Sequence, residues 1–480
     1  MRRTKIIATL GPATDNPKVI AGLVDVGVNV VRLNFSHGSP EEHRRRAEMV
    51  RQAAENAGRC VGILGDLQGP KIRIDRFQDG KVELTEGDAF VLDGALDREA
   101  GTRERVGLTY KDLPNDVRPG DTLLLDDGRL VLNVERVEGA EIHTRVVVGG
   151  TLSNNKGINR QGGGLSAPAI TDKDRADIRL AVELGVDFLA VSFPRSAEDI
   201  HLARELVQEA GGDIAIVAKI ERAEALDAID DIIRAADAIM IARGDLGVEI
   251  GDAELPAVQK NLIHKARSMN RVAITATQMM ESMILNPIPT RAEVFDVANA
   301  VLDGTDAVML SGETATGRYP AKVVDAMGRI CEAAELQRSA RVSTHRMDSY
   351  FERVDEAIAM AAMYTANHLG VRAIAALTES GATPLWMSRI SSGIPIYAMS
   401  RGLPTRRKLT LYRGVYPVAF DTIRSSHAET NRHVIEHLQA EGVVQEGDLV
   451  IITKGDLSGV MGGTNAMKIV RVGALVDNAA

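Results

Sequence analysis

The sequence predicts an α/β protein in three parts: a (β/α)8 TIM barrel, a small β-barrel lid inserted into it, and a C-terminal open-sheet α/β domain. Three observations lead there. Short β-branched apolar runs alternate with helix-length amphipathic stretches through about the first 340 residues, and there are eight such runs. One gap among them, about 120 residues long, has a different, hairpin-rich character. Beyond residue 339 the alternation resumes with four or five strands, too few to close a second barrel.

The eight runs are 5–11 (KIIATLG), 28–36 (VNVVRLNFS), 60–67 (CVGILGDL), 188–193 (FLAVSF), 214–221 (IAIVAKIE), 238–246 (AIMIARGDL), 272–277 (VAITAT) and 307–314 (AVMLSGET). Seven of the eight gaps span about 15 to 35 residues and carry helical periodicity, as in 174–185 and 223–236, which is the repeated βα unit. The third gap alternates as strands do, in VELTEGDAFVLD, DTLLLDDGRLVLNVERV and EIHTRVVVGG, with Asp127-Gly128 at a hairpin tip. A β unit placed after the third strand hangs over the rim where barrel active sites are built, so it reads as a mobile lid. The expected parts are 1–69 with 169–338 for the barrel, 70–168 for the lid and 339–480 for the C-terminal domain.

A chain of 480 residues is too long for a lone binding module. With 57 Lys plus Arg against 66 Asp plus Glu, a net charge of −9 and 45% hydrophobic residues, it is neither disordered nor a basic nucleic-acid binder. The apolar run behind the N-terminal arginines is too short for a signal peptide, and no segment has the ~20 apolar residues of a membrane helix. Only Cys60 and Cys331 are present, which points to a reducing cytoplasm and no structural zinc.

In such a barrel the polar residues at the C-terminal ends of the strands converge. They are Arg32, Asn34 and Ser36 on the second, Asp66 on the third, Lys219 and Glu221 on the fifth, Arg243 and Asp245 on the sixth, Thr277 on the seventh, and Ser311 and Glu313 on the eighth. Singly, each has a structural explanation: a strand-edge ion pair, a helix cap, a turn at Asn34–Gly38 with a capping serine. Together they make a phosphoryl-transfer site, with Glu221 and Asp245 suited to a hard divalent cation and Lys219 and Arg32 supplying positive charge. No Walker A pattern occurs, and the one GxGxxA match, Gly162, Gly164 and Ala167, neither follows a strand nor opens a helix.

At this point the motifs carry a resemblance. VVRLNFSHG (30–38), GDLQGPKIR (65–73), AKIERAEA (218–225), MIARGDLGVEI (240–250), ATQMMESMI (276–284) and MLSGETATGRYP (309–320) resemble the signatures of the pyruvate kinase family, in that family's order. The resemblance implies a cytoplasmic, glycolytic homotetramer that converts phosphoenolpyruvate and ADP to pyruvate and ATP with Mg2+ or Mn2+, the C-terminal domain serving regulation and assembly. It implies Glu221 and Asp245 as Mg2+ ligands, Lys219 and Arg32 on the transferring phosphoryl group, and Gly244, Asp245 and Thr277 on the substrate carboxylate. It also implies Thr277 and Ser311 in positioning the water or proton relay that protonates enolpyruvate, and Asn34, His37, Arg73 and Lys156 match positions that contact nucleotide phosphates or the monovalent-cation region. Many members bind potassium near residues matching Asn34, Ser36, Asp66 and Leu67, with an acidic residue where this chain has Lys71. A lysine there predicts activity without potassium.

The segment Thr378, Glu379, Ser380, Gly381, Ala382, Thr383 precedes a helix and reads either as a plain strand-to-helix turn or as an anion nest; it is similar to the loop that binds the family's sugar-phosphate effectors, which implies a sugar monophosphate or AMP. The stretch 457–465 lacks the Trp and Arg associated with fructose 1,6-bisphosphate. Two other classes compete: a Mg2+-dependent barrel lyase or aldolase working through pyruvate enolate, and a non-catalytic metabolite sensor. The lyase leaves the lid and Lys219 unexplained, and the sensor requires a broken site.

Overall fold

Runs of Ile, Val and Ala that are apolar at every position suit parallel strands buried on both faces, and such strands form here. The computed structural model describes residues 1–337, 340, 350–421, 427–456 and 461–474. Its parallel strands are β1 (Lys5–Thr9), β2 (Val30–Asn34), β3 (Gly62–Asp66), β4 (Phe188–Val191), β5 (Ala215–Ile220), β6 (Ala238–Ala242), β7 (Val272–Ala276) and β8 (Ala307–Leu310). Their hydrogen-bonded order closes as β1-β8-β7-β6-β5-β4-β3-β2. Every residue of β1, β3, β5, β6 and β7 is buried. The eight runs read from the sequence are these eight strands.

The chain falls into two compact units, Met1–Gly65 with Glu183–Leu189 and Ile263–Ala480, and Asp66–Val182 with Ala190–Leu262. In the first unit, β1 pairs with β8 in the register Ile7 to Met309 and with β2 in the register Ile7 to Val30. The helix Pro40–Asn56 after β2 starts at Ser39, whose hydroxyl accepts from the Glu42 amide while the Glu42 carboxylate accepts from the Ser39 amide. Ser39 is thus the capping serine, and Ser36 lies in the preceding turn.

The same unit carries a five-stranded sheet of β9 (Ala373–Leu377), β10 (Ile396–Ser400), β11 (Val415–Ala419), β12 (Leu449–Gly455) and β13 (Thr464–Arg471), in the order β11-β10-β9-β12-β13. The last strand runs antiparallel to β12 and the other pairings are parallel. This is the open sheet expected of the C-terminal domain. The expected boundary at 338/339 and part of the 457–465 loop lie outside the described residues.

A buried charge cluster ties that domain to the base of β8. Arg389, at the end of the helix Ala382–Arg389, is fully buried and its guanidinium grips both oxygens of Asp306, one at 3.0 Å. Asp306 also accepts from the Ala273 amide at 2.9 Å, while Arg413 donates to the carbonyls of Val301 and Thr305. Burial and the Arg389 charge push the nearby Arg267 guanidinium down to about 9.

In the second unit, the insertion builds two sheets around one apolar core that includes Ile74, Phe90, Leu92, Leu123, Leu132 and Ile142. Six strands are ordered Ile158–Arg160, Thr122–Leu125, Leu130–Glu138, Glu141–Val148, Ala89–Asp93, Arg105–Gly107, and Gly150–Ser153 pairs with Lys81–Leu84 apart from them. The expected small barrel is therefore split between two sheets that share a core. Asp126, Asp127 and Gly128 turn the predicted hairpin with φ of 51°, 57° and 83°. Among the described residues no helix is long and apolar enough to cross a membrane.

Removing one member of a buried ion pair strands the other without water. Asp306→Ala should lower unfolding stability by about 3–5 kcal/mol in urea titrations. Arg401→Ala, which breaks the half-exposed pair with Glu379, should cost about 1 kcal/mol or less.

Candidate active site

Side chains two apart on a strand share a face, so Lys219 near the end of β5 and Glu221 just beyond it point the same way. Both are buried, as is Asp66, the last residue of β3. The Lys219 ammonium lies 2.9 Å from Glu221 Oε1 and 3.3 Å from Asp66 Oδ1, and it donates to Ser192 Oγ at 2.6 Å. Burial pushes the Glu221 carboxyl up, Lys219 pulls it back down, and the charges of Asp245 and Asp66 add to the rise. Asp245 sits in the first turn of the helix Arg243–Ile250 that follows β6, where Gly244 and Asp245 contribute N-terminal backbone amides.

Lys71 carries its ammonium 3.2 Å from Asp245 Oδ1. Its charge serves that carboxylate, whereas the charge beside Asp66 belongs to Lys219. Among the described residues, no three or more His, Cys, Asp or Glu side chains form a metal cage. Two carboxylates, each already facing a lysine, instead suit a hard cation that completes its shell with substrate oxygens and water.

The segments flanking the insertion are fastened to this region within the same unit. Glu249, buried on the helix that carries Asp245, accepts from the Asn159 side-chain amide at 3.4 Å and from the Ala223 backbone at 2.8 Å. Arg222 donates to the Leu165 carbonyl and Arg195 to the Ser166 carbonyl, each at 3.0 Å. The GxGxxA loop takes part as well: Gly162, Gly163 and Gly164 have φ of 79°, 78° and 92°, and the Gly162 amide donates to the Glu249 carbonyl. Left-handed backbone at three successive positions explains the glycines, which serve a tether and not a dinucleotide fingerprint. At the insertion's base Arg73 bridges Gly157 and donates to the Asn155 carbonyl at 2.9 Å, next to Lys156, which pairs with Asp126 at 2.7 Å.

The remaining expected residues belong to the first unit. Arg32 on β2 donates to Thr9 Oγ1 at 3.2 Å. Asn34 closes the following turn, its Oδ1 accepting from the Ser36 amide at 3.1 Å and its carbonyl from the His37 amide at 3.2 Å. Thr277, just past β7, has φ of 65°, and Ser311, just past β8, donates its amide to the buried Glu313 at 2.7 Å. A bulky β-branched residue at positive φ is strained, and such strain collects at functional sites. In the C-terminal domain, Thr378 Oγ1 accepts from the Gly381 amide at 2.9 Å and Ser380 Oγ from the Ala382 amide at 3.4 Å, while the Thr383 and Thr464 hydroxyls lie 3.0 Å apart. The Thr378 and Ser380 hydroxyls thus serve the helix start itself, while Thr383 ties it to β13.

The strand-end reading missed Ser192, Phe193 and Glu249. Ser and Phe at the end of FLAVSF look like ordinary strand residues, and Glu249 looks like a solvent-facing helix position; nothing local in the sequence distinguishes them.

Burial pushes the Glu249 carboxyl up to about 7 from an ordinary 4.5. The folded chain then holds this proton more tightly than the unfolded chain, so the stabilisation is full below about pH 4.5 and is lost as pH rises through about 7. Chemical denaturation should show wild-type stability falling by about 2–3 kcal/mol over that window from this group, and Glu249→Gln should remove that part of the slope.

A family profile described as pyruvate kinase, barrel domain, matches residues 1–324, and one described as pyruvate kinase, alpha/beta domain, matches 356–470. The chain is 58% identical over 476 residues to pyruvate kinase II of Salmonella typhimurium, covering 98% of this chain and 99% of that protein. It is 58% identical over 459 residues to a pyruvate kinase of Haemophilus influenzae, covering 95% and 96% respectively. A crystal structure of a pyruvate kinase from Cryptosporidium parvum superposes with a TM-score of 0.93 at 36% identity, covering 98% of this chain and 96% of that one. Barrel, insertion and C-terminal sheet thus recur along whole relatives, and the chain belongs to the pyruvate kinase family of phosphotransferases.

Proposed function

We propose that this chain is a Mg2+-dependent, potassium-independent pyruvate kinase that moves the phosphoryl group of phosphoenolpyruvate to ADP. The observation that carries this reading is the buried Lys219 ammonium held between Glu221 and Asp66. In the transfer the bond between phosphorus and the enol oxygen breaks, a bond to the terminal oxygen of ADP forms, and the enolate left behind is protonated at C3 to give pyruvate. Lys219 neutralises the phosphoryl charge in flight, aided by Arg32. Glu221 and Asp245 would hold the divalent cation, which when bound neutralises phosphoryl and enolate oxygens. The amides of Gly244 and Asp245, with the Thr277 hydroxyl, receive the substrate carboxylate as helix N-termini receive anions. Thr277 and Ser311 orient the proton delivered to C3. Arg73, Lys156, Asn34 and His37 serve the nucleotide phosphates, and the insertion excludes water that would otherwise take the phosphoryl group.

Lys71 is assigned as the reason for potassium independence: its ammonium adds a positive charge carried by the chain, beside Asp245 and not at Asp66 itself, in place of the one a monovalent ion near Asn34, Ser36, Asp66 and Leu67 would bring. The loop of Thr378, Ser380, Gly381 and Thr383 is assigned to a sugar monophosphate or AMP, making the enzyme allosteric. A homotetramer in the cytoplasm, with domain limits at 1–69 and 169–338, 70–168 and 339–480, completes the assignment. Exposed Leu285, Ile288 and Phe295 on the barrel are consistent with a covered subunit surface.

Steady-state pyruvate formation from phosphoenolpyruvate and ADP, in buffer free of potassium and ammonium, tests this directly. High activity that KCl barely changes is expected, and Lys71→Glu should create a KCl requirement. Activity appearing only with KCl would remove the Lys71 assignment, and none under either condition would remove the function.

A further inference from the structure

No ionisable residue ends β4, and that strand contributes nothing to the expected site, yet its last turn touches both groups on which the chemistry depends. Beyond Val191 the chain leaves the strand through Ser192, 1% exposed, and Phe193, whose φ is 55°. A bulky residue in left-handed backbone is uncommon and persists only where its surroundings hold it. Here they do. Ser192 Oγ donates to the Leu67 carbonyl at 2.8 Å, and the Arg222 guanidinium lies 5.6 Å from the centre of the Phe193 ring. Gly69, at φ of 65°, leaves the room: a Cβ there would stand 2.8 Å from the Ser192 Cβ.

The same two residues face Lys219 and Glu221 with opposite polarity. Ser192 Oγ accepts from the Lys219 ammonium at 2.6 Å, and the Phe193 amide donates to Glu221 Oε2 at 2.9 Å. Glu221 Oε1, at 2.9 Å from Lys219, closes the loop. A lysine stem has many rotamers, and two carboxylates alone would let the ammonium settle on either. A neutral third acceptor, itself fixed by its bond to Leu67, defines one point for the charge. We propose, resting on the pyruvate kinase reading, that the Ser192-Phe193 turn is a positioning device, with Ser192 setting the place of the Lys219 ammonium and the Phe193 amide orienting Glu221. Neither residue exchanges a proton or an electron pair with substrate.

The test is a double-mutant cycle on pyruvate formation with Ser192→Ala, Lys219→Met and the pair, each checked for folding by circular dichroism and thermal midpoint. Ser192→Ala should lower kcat about 10- to 100-fold while KM for phosphoenolpyruvate stays within about 3-fold, the signature of an interaction lost in the transition state. Ser192→Cys, which keeps a weak acceptor of similar size, should fall between it and wild type. On the Lys219→Met background, Ser192→Ala should change kcat by less than about 2-fold, because the group it positions is gone. Losses that multiply in the pair, or a wild-type kcat for Ser192→Ala, would overturn the proposal while leaving the kinase reading intact. If Ser192→Ala does not fold, a wild-type kcat for Ser192→Cys would overturn it equally. Lys219→Met turning over as fast as wild type would remove the kinase reading and the proposal with it.

Discussion

Two carboxylates, Asp66 and Glu221, are taken out of water at the end of the barrel, and one ammonium, Lys219, keeps both there. Burying a carboxylate costs several kcal/mol unless a charge and hydrogen bonds compensate it, so every element that brings these three together is under constraint. The strands that carry Asp66 and Lys219 are buried at every residue. The turn after β4 supplies the remaining donor and acceptor. Burial, with the charges of Asp245 and Asp66, holds the Glu221 carboxyl above its ordinary range against the pull of Lys219.

Lys71 has the same logic at Asp245. Each of these carboxylates, Glu221 and Asp245, faces a lysine from its own chain. A site arranged in this way does not need a rigid cage of protein ligands, since the substrate brings its own oxygens. The insertion is fastened near that site through Glu249, Arg222 and the glycine loop, so the segment read as a cover and the helix bearing Asp245 share hydrogen bonds.

Much of this was legible in the sequence because barrel strands obey a simple rule: apolar on both faces until the last residue or two, where chemistry begins. KIIAT, GILGD and AIVAKI read as strands without ambiguity, and Asp66, Lys219 and Glu221 stand out as charges at or just beyond their C-terminal ends, whereas the buried Lys5 opens KIIAT at the opposite end. The hairpin at Asp127-Gly128 was equally plain from turn chemistry. What could not be read is what depends on geometry between segments. Ser192 and Phe193 gain their roles from a backbone turn that no propensity signals, and Glu249 is indistinguishable in sequence from Asp252 or Glu254. The division of the insertion into two sheets depends on strand pairing, which alternation alone does not determine. For Lys71, the sequence indicated a charge and the structure supplied its partner.

Glu221 and Asp245, each beside a lysine, are proposed to form one cation site completed by substrate. Titration of Mn2+ followed by electron paramagnetic resonance, on wild type, Glu221→Gln and Asp245→Asn with and without phosphoenolpyruvate, addresses it most directly. Binding that phosphoenolpyruvate tightens in wild type, and that each substitution weakens by at least about 10-fold, is the expected result. Equal Mn2+ affinity in all three proteins, or no effect of phosphoenolpyruvate on wild type, would contradict it.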